Sequence, residues 1–210
     1  MRPAILLLLA AGVLTAVAVV GVVVLDPFAD EVPPEREQPF ATTPLDGFDT
    51  LSLTVPRAGF CSDVDPREVE AALGAEPVGE RGYDNGDEVQ LADGVTDVAH
   101  EFGCVWSLDD GSEARAWVFA PPVDGDRAQR LTRETTRTEG CDPVDGPPYG
   151  APSVALLCTD GPLTTASYRG LFGDAWLTCE LVAPAPSGGT EAFVEKAGAW
   201  CVAVARGASA

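Results

Sequence analysis

The stretch VAHEFGCVWSLDDGSEARAWVFA, Val98–Ala120, decides the fold. Val98, His100, Phe102, Cys104, Trp106 and Leu108 fall on alternate positions, the period of a strand with one apolar face. Asp109-Asp110-Gly111 follows, a tight-turn signal, and a second alternating segment runs over Glu113–Ala120. Two strands joined this closely must pair antiparallel. On the second of them Trp117 and Phe119 share a face with Glu113 and Arg115.

Downstream, Pro121-Pro122 ends the strand, and Asp124–Thr138 has a moderately amphipathic helical pattern stopped by Gly140. The plan then repeats loosely. Strands are expected at Ser153–Thr159, Leu163–Arg169 and Asp174–Ala183, linked by Asp160-Gly161-Pro162 and Gly170–Gly173. On the last of these Leu177, Cys179 and Leu181 face the core, while Trp176, Thr178 and Glu180 face away. A break over Pro184–Gly189 precedes a helix from Thr190 to Arg206, with Phe193, Ala197, Trp200, Cys201 and Val204 on its buried side.

Upstream, Val64-Asp65-Pro66-Arg67-Glu68-Val69-Glu70-Ala71-Ala72-Leu73-Gly74 predicts a short helix. Asp65 caps it, Pro66 suits its first position and Glu68 completes a capping box. Val64 and Val69 form a hydrophobic staple, and Gly74 is the left-handed stop. The Gly- and acid-rich Glu76–Asp97 reads as a solvated loop. Hairpins followed by helices, rather than strict alternation, predict an α+β domain over 51–210. Its antiparallel sheet is packed by about three helices on one face.

Six cysteines lie in this domain: Cys61, Cys104, Cys141, Cys158, Cys179 and Cys201. An even count in an exported domain reads as three disulfides, and no close pair of the C-x-x-C kind favours zinc. We expect the sequential pairing. Cys179 lies ~13 Å before its strand end and Cys201 ~16 Å into the returning helix, so the two come level. Cys104 is on the core face where the helix after Cys61 must pack, and Cys141–Cys158 follows by elimination.

Before the domain, Ala4–Leu25 carries no charge or amide. About 22 residues at ~1.5 Å rise span ~33 Å, enough for a hydrocarbon core. Arg2 precedes the run, while Asp26, Asp30 and Glu31 follow it, which sets the N-terminus in the cytoplasm and the domain outside. Residues 1–25 are thus expected to be a transmembrane signal-anchor; a cleaved signal peptide ending at Ala16-Val17-Ala18 is the alternative. Residues 26–50, rich in Pro and acids, are expected to be an extended tether.

The chain holds 33 acids against 13 bases, a net charge of −20. That balance repels phosphate backbones and argues against nucleic-acid binding. His100 is the only imidazole, and no Gly-x-Ser-x-Gly or Ser-x-x-Lys frame accompanies it. Its place on the apolar alternation predicts a packed, hydrogen-bonded residue at a strand end. Tyr83-Asp84-Asn85-Gly86-Asp87-Glu88 does not have the spacing of an EF-hand. No metal or cofactor is expected.

Cys61-Ser62-Asp63-Val64 with the capped helix ending Ala71-Ala72-Leu73-Gly74, the later Cys104-Val105-Trp106 and the helical Cys201 resemble a large actinobacterial family of secreted lipoproteins of unknown function. That family is similar in fold to the extracytoplasmic sensor domain of mycobacterial receptor-type serine/threonine kinases. The resemblance covers roughly residues 55–206 and implies a sensor-like α+β domain; it carries over no catalytic residue. This chain departs from the family in having no lipid-attachment Cys after its apolar run.

The expected function is therefore non-catalytic: an anchored extracytoplasmic domain binding a small ligand, an envelope polymer or a protein partner. An exported hydrolase with an unrecognised site and a structural subunit of the envelope are the alternatives. The expected ligand surface is an aromatic strip of Trp117, Phe119 and Trp176, with Tyr168 nearby, on the sheet face opposite the helices.

Overall fold

The computed structural model describes residues 40–210 apart from Asp93, Ala185 and Ser187. The expected anchor over 1–25 and most of the expected tether lie outside the described residues. Among the described residues no helix is long and apolar enough to cross a membrane.

The deciding hairpin is present as β4 (Glu101–Ser107) and β5 (Glu113–Phe119), with Cys104 opposite Ala116 and Trp106 opposite Ala114. Its first strand begins three residues later than expected. The Asp87 carbonyl takes the amide of Ala99, and the His100 carbonyl takes that of Ala120, so the chain bends there. Val98 belongs to another hairpin, and His100 has an exposed side chain rather than the packed one expected.

Downstream, β7 (Ser153–Asp160), β8 (Leu163–Phe172) and β9 (Ala175–Pro184) form a meander. β9 pairs with β5, which joins the two halves into one antiparallel sheet of order β1-β4-β5-β9-β8-β7-β6. The edges are β1 (Gly79–Tyr83) and β6 (Cys141–Pro143), and among the described residues β2 (Glu88–Ala92) pairs with β3 (Val95–Val98) alone. The stretch Glu76–Asp97, read as a solvated loop, thus holds three strands. Backbone pairing at an edge needs no apolar alternation, and these strands are largely exposed.

Three helices complete the domain: α1 (Pro66–Leu73), α2 (Gly125–Thr135) and α3 (Gly189–Gly207). The Asp65 side chain accepts from the Arg67 amide at 2.9 Å, and Gly74 closes α1 at φ 86°. Glu68 does not reach back to the Asp65 amide as a capping box would. It is buried against Arg206, 3.8 Å away, while Val64 and Val69 are both buried as the staple requires. Asp124 caps α2 through the Arg127 amide at 2.7 Å.

α1 and α3 pack on one face of the sheet, where Trp200 of α3 meets Trp106 edge-on at 5.5 Å between ring centroids. α2 departs from expectation and covers the other face. There Val123, Ala128 and Trp176 are buried, with Phe119, Leu131 and Leu171 packed against them. The physical reason is that two large aromatics on the second face leave too much apolar surface for water to cover.

The disulfides join Cys61 to Cys104, Cys141 to Cys158 and Cys179 to Cys201, with Cα separations of 5.6, 4.0 and 5.5 Å. They fix the start of α1 to β4, β6 to β7, and α3 to β9. Packing also begins earlier than residue 51. Leu45, on a 3-10 turn, is in the core, and the Thr50 hydroxyl donates to the Pro148 carbonyl at 2.9 Å and accepts from the Gly150 amide at 3.1 Å. Residues 40–50 therefore belong to the domain and not to the tether.

Candidate functional site

Strand alternation sends Glu101, Gly103 and Val105 of β4, Arg115 and Trp117 of β5, and Thr178 and Glu180 of β9 to the face opposite α3. α2 covers only the Phe119–Trp176 end of this face. Beyond it a groove of about 650 Å³ opens, bordered by β1 and by Glu88, Val89 and Gln90 of β2. That size falls within the range of small-molecule sites.

Glu180 anchors the groove. It is only 8% exposed, and Arg169 reaches it at 3.1 Å, with Arg115 at 4.0 Å. Arg115 also pairs with Glu113 along its own strand. Burial pushes the Glu180 carboxyl above the usual range, and the two guanidiniums oppose that rise. Among the described residues, the buried Ser167 hydroxyl and the Arg169 Nε have no hydrogen-bond partner.

Tyr83 of β1 supplies the opposite wall. Its ring lies across Gly103, where any Cβ would overlap it, so this glycine is required by close approach and not by backbone angle. The Tyr83 hydroxyl donates to Glu101 Oε1 at 2.8 Å. Burial raises Tyr83 well above its ordinary value, with the Glu101 bond adding to it; burial likewise raises Glu101, against the Tyr83 bond.

The structure divides the expected aromatic strip. Trp117 is half-buried and lines the groove. Phe119 and Trp176 pack with α2, and Trp176 is 2% exposed. Tyr168 is on the other face altogether: it stands opposite Cys179, packs in the main core and donates to the Val194 carbonyl at 3.4 Å. The four residues therefore form no single surface, because α2 shields two and the pleat turns the fourth away. The alternation places Arg115 on the face of Trp117 and Glu180 on that of Trp176, but not Tyr83 and Glu101 beside them. The one signal for Tyr83 was Gly103, a residue without a side chain inside an alternating strand.

The groove presents the Trp117 indole and the Tyr83 ring, the Arg81 and Arg115 guanidiniums and several carboxylates, a set suited to hydrogen bonding a polar ligand stacked on an indole. Among the described residues, no group of three or more His, Cys, Asp or Glu is placed to hold a metal ion. Compared with protein-family models and with curated proteins, the chain matches none.

Proposed function

We propose that residues 40–210 are a non-catalytic binding domain held outside the cytoplasm by an N-terminal membrane anchor, and that the groove at Trp117 receives the ligand. The observation that carries this reading is the half-buried Trp117 beside Arg115 and Glu180 in a groove of about 650 Å³, with Arg169 holding Glu180 at 3.1 Å. An indole face flanked by fixed hydrogen-bonding groups suits a polyhydroxylated ring, such as a sugar unit of an envelope polymer. Three disulfides support an oxidising compartment. The apolar run Ala4–Leu25 supports anchorage. The sensor-like family resemblance points the same way.

A specific observation favours a second reading, an exported hydrolase. Glu101 and Glu180 both line the groove, burial raises both, and the charge of Glu101 adds to the rise of Glu180. Buried carboxyls whose hold on the proton is strengthened are the raw material of general acid catalysis. Incubating the full-length protein with purified envelope polysaccharide separates the two readings. Retention of intact polymer that is lost in Trp117→Ala supports binding, whereas release of fragments that stops in Glu180→Gln supports hydrolysis. Neither retention nor fragments removes the polysaccharide from consideration.

A further inference from the structure

A second concavity, of about 670 Å³, opens between the first turns of α3, the 3-10 turn Leu45–Gly47 and the loop linking β6 to β7. It shares no residue with the Trp117 groove. Its wall is apolar: Leu45, Val144, Val194 and the almost fully buried ring of Tyr168. Around it stand Asp46, Asp145, Glu191 and Glu195, all exposed, and no Lys or Arg is among the described residues that line it.

These acids come from three separate stretches of chain, so the cavity gathers them by its fold. Glu191 and Glu195 are one helical turn apart, a spacing at which like charges repel. None of the four takes part in an ion pair among the described residues. Tyr168 is raised first by burial and then by the charge of Glu195, so the negative field reaches the inner wall.

We propose that this cavity is a second binding site, for a small organic cation with an apolar body, of the aryl- or alkylammonium class. The apolar wall removes the hydrocarbon from water, the carboxylates meet the ammonium charge, and the cation relieves the repulsion between Glu191 and Glu195. Charge complementarity selects this occupant over an anion of the same shape. The volume suits a small molecule better than a folded partner.

The test titrates the full-length chain in neutral detergent with benzyltrimethylammonium, phenylacetate and spermidine, following the ring signals of its three tyrosines by NMR. Benzyltrimethylammonium is expected to saturate at one per chain and to shift Tyr168. Phenylacetate should leave Tyr168 unmoved, and spermidine should bind at least about tenfold more weakly, having charge without an apolar body. The double variant Glu191→Gln, Glu195→Gln should weaken the aryl cation about tenfold with an unchanged melting curve, while Trp117→Ala should leave it alone. Equal binding of spermidine would overturn the site in favour of diffuse attraction to the acidic surface. Equal binding of phenylacetate would reduce it to an apolar cleft. Absence of any shift at millimolar cation, or loss of binding in Trp117→Ala alone, would overturn it as well.

Discussion

On the α3 side of the sheet, β5 and β9 present Ala114, Ala116, Val118, Leu177, Cys179 and Leu181, all almost fully buried against helix. On the reverse side the same two strands present Arg115, Trp117, Thr178 and Glu180, and only one end is roofed by α2. Both sides bury much of what they carry. They differ in what burial must satisfy: the first needs shape alone, the second needs each charge to find a partner. Glu180 is nearly as hidden as the core residues, yet it depends on two arginines. Depth does not separate scaffold from candidate site here; chemistry does.

The largest effect that would sharpen this contrast is Trp200→Ala. Trp200 is 2% exposed, stacks edge-on to Trp106 and donates its Nε1 to the Arg115 carbonyl at 3.2 Å. Its removal should cost about 3–5 kcal/mol by urea denaturation. Trp117→Ala, half-buried on the other side, should cost only about 1–1.5 kcal/mol. Equal losses would show that both sides are scaffold.

Replacing Cys179 and Cys201 together by Ala opens a bond of sequence separation 22 and should cost about 3 kcal/mol. The same change at Cys141 and Cys158, separation 17, should cost a similar amount by the chain-entropy model but loosen only the β6 edge. Hydrogen exchange distinguishes the two, since the first should expose α3 amides and the second should not.

Gly103→Ala should displace the Tyr83 ring and destabilise the domain by about 1–3 kcal/mol, with β1 amides exchanging first. An Ala that leaves the Tyr83–Glu101 bond intact would contradict the close approach. The smallest expected effect is a pH slope. Burial raises Glu101 above its ordinary 4.5, so the native state holds that proton more tightly than the unfolded chain does. Its contribution is fully present below that value and is lost as pH rises through the native pKa. Glu101→Gln should therefore gain on the wild type as pH goes from 4 to 7 in urea titrations. A wild type that gains instead would reverse the sign.

What was legible in the sequence follows from periodicity and turn chemistry. The β4–β5 hairpin, the meander and the caps of α1 rest on local alternation and on Asp65 and Gly74, so they could be read directly. The disulfide partners could be read because Cys104 and Cys179 occupy core positions of strands whose helical neighbours were already placed. β1 was illegible because Gly-Glu-Arg-Gly-Tyr is an edge strand with no apolar face. β8 was hard to resolve by face, since Ala166, Ser167 and Tyr168 are buried in succession between two covered sides. The crossing of α2 to the far side depends on tertiary demand from Trp176, which no local pattern expresses. The candidate groove inherits that gap: Trp117 and its strand-mate Arg115 were placed on one face, but Tyr83, Glu101 and Glu180 reach them from other strands.

The short β6 strand also bears on whether copies of the chain can join through their sheets. An open antiparallel sheet offers its outer strands as templates for another molecule. Here one rim is three residues long, carries Pro143 with no amide to donate, and is clasped to β7 by Cys141–Cys158. The other rim, β1, is five residues with Glu80 and Arg81 at its centre. Neither rim invites strand addition, so the seven-stranded sheet is a poor template for a second copy of the chain.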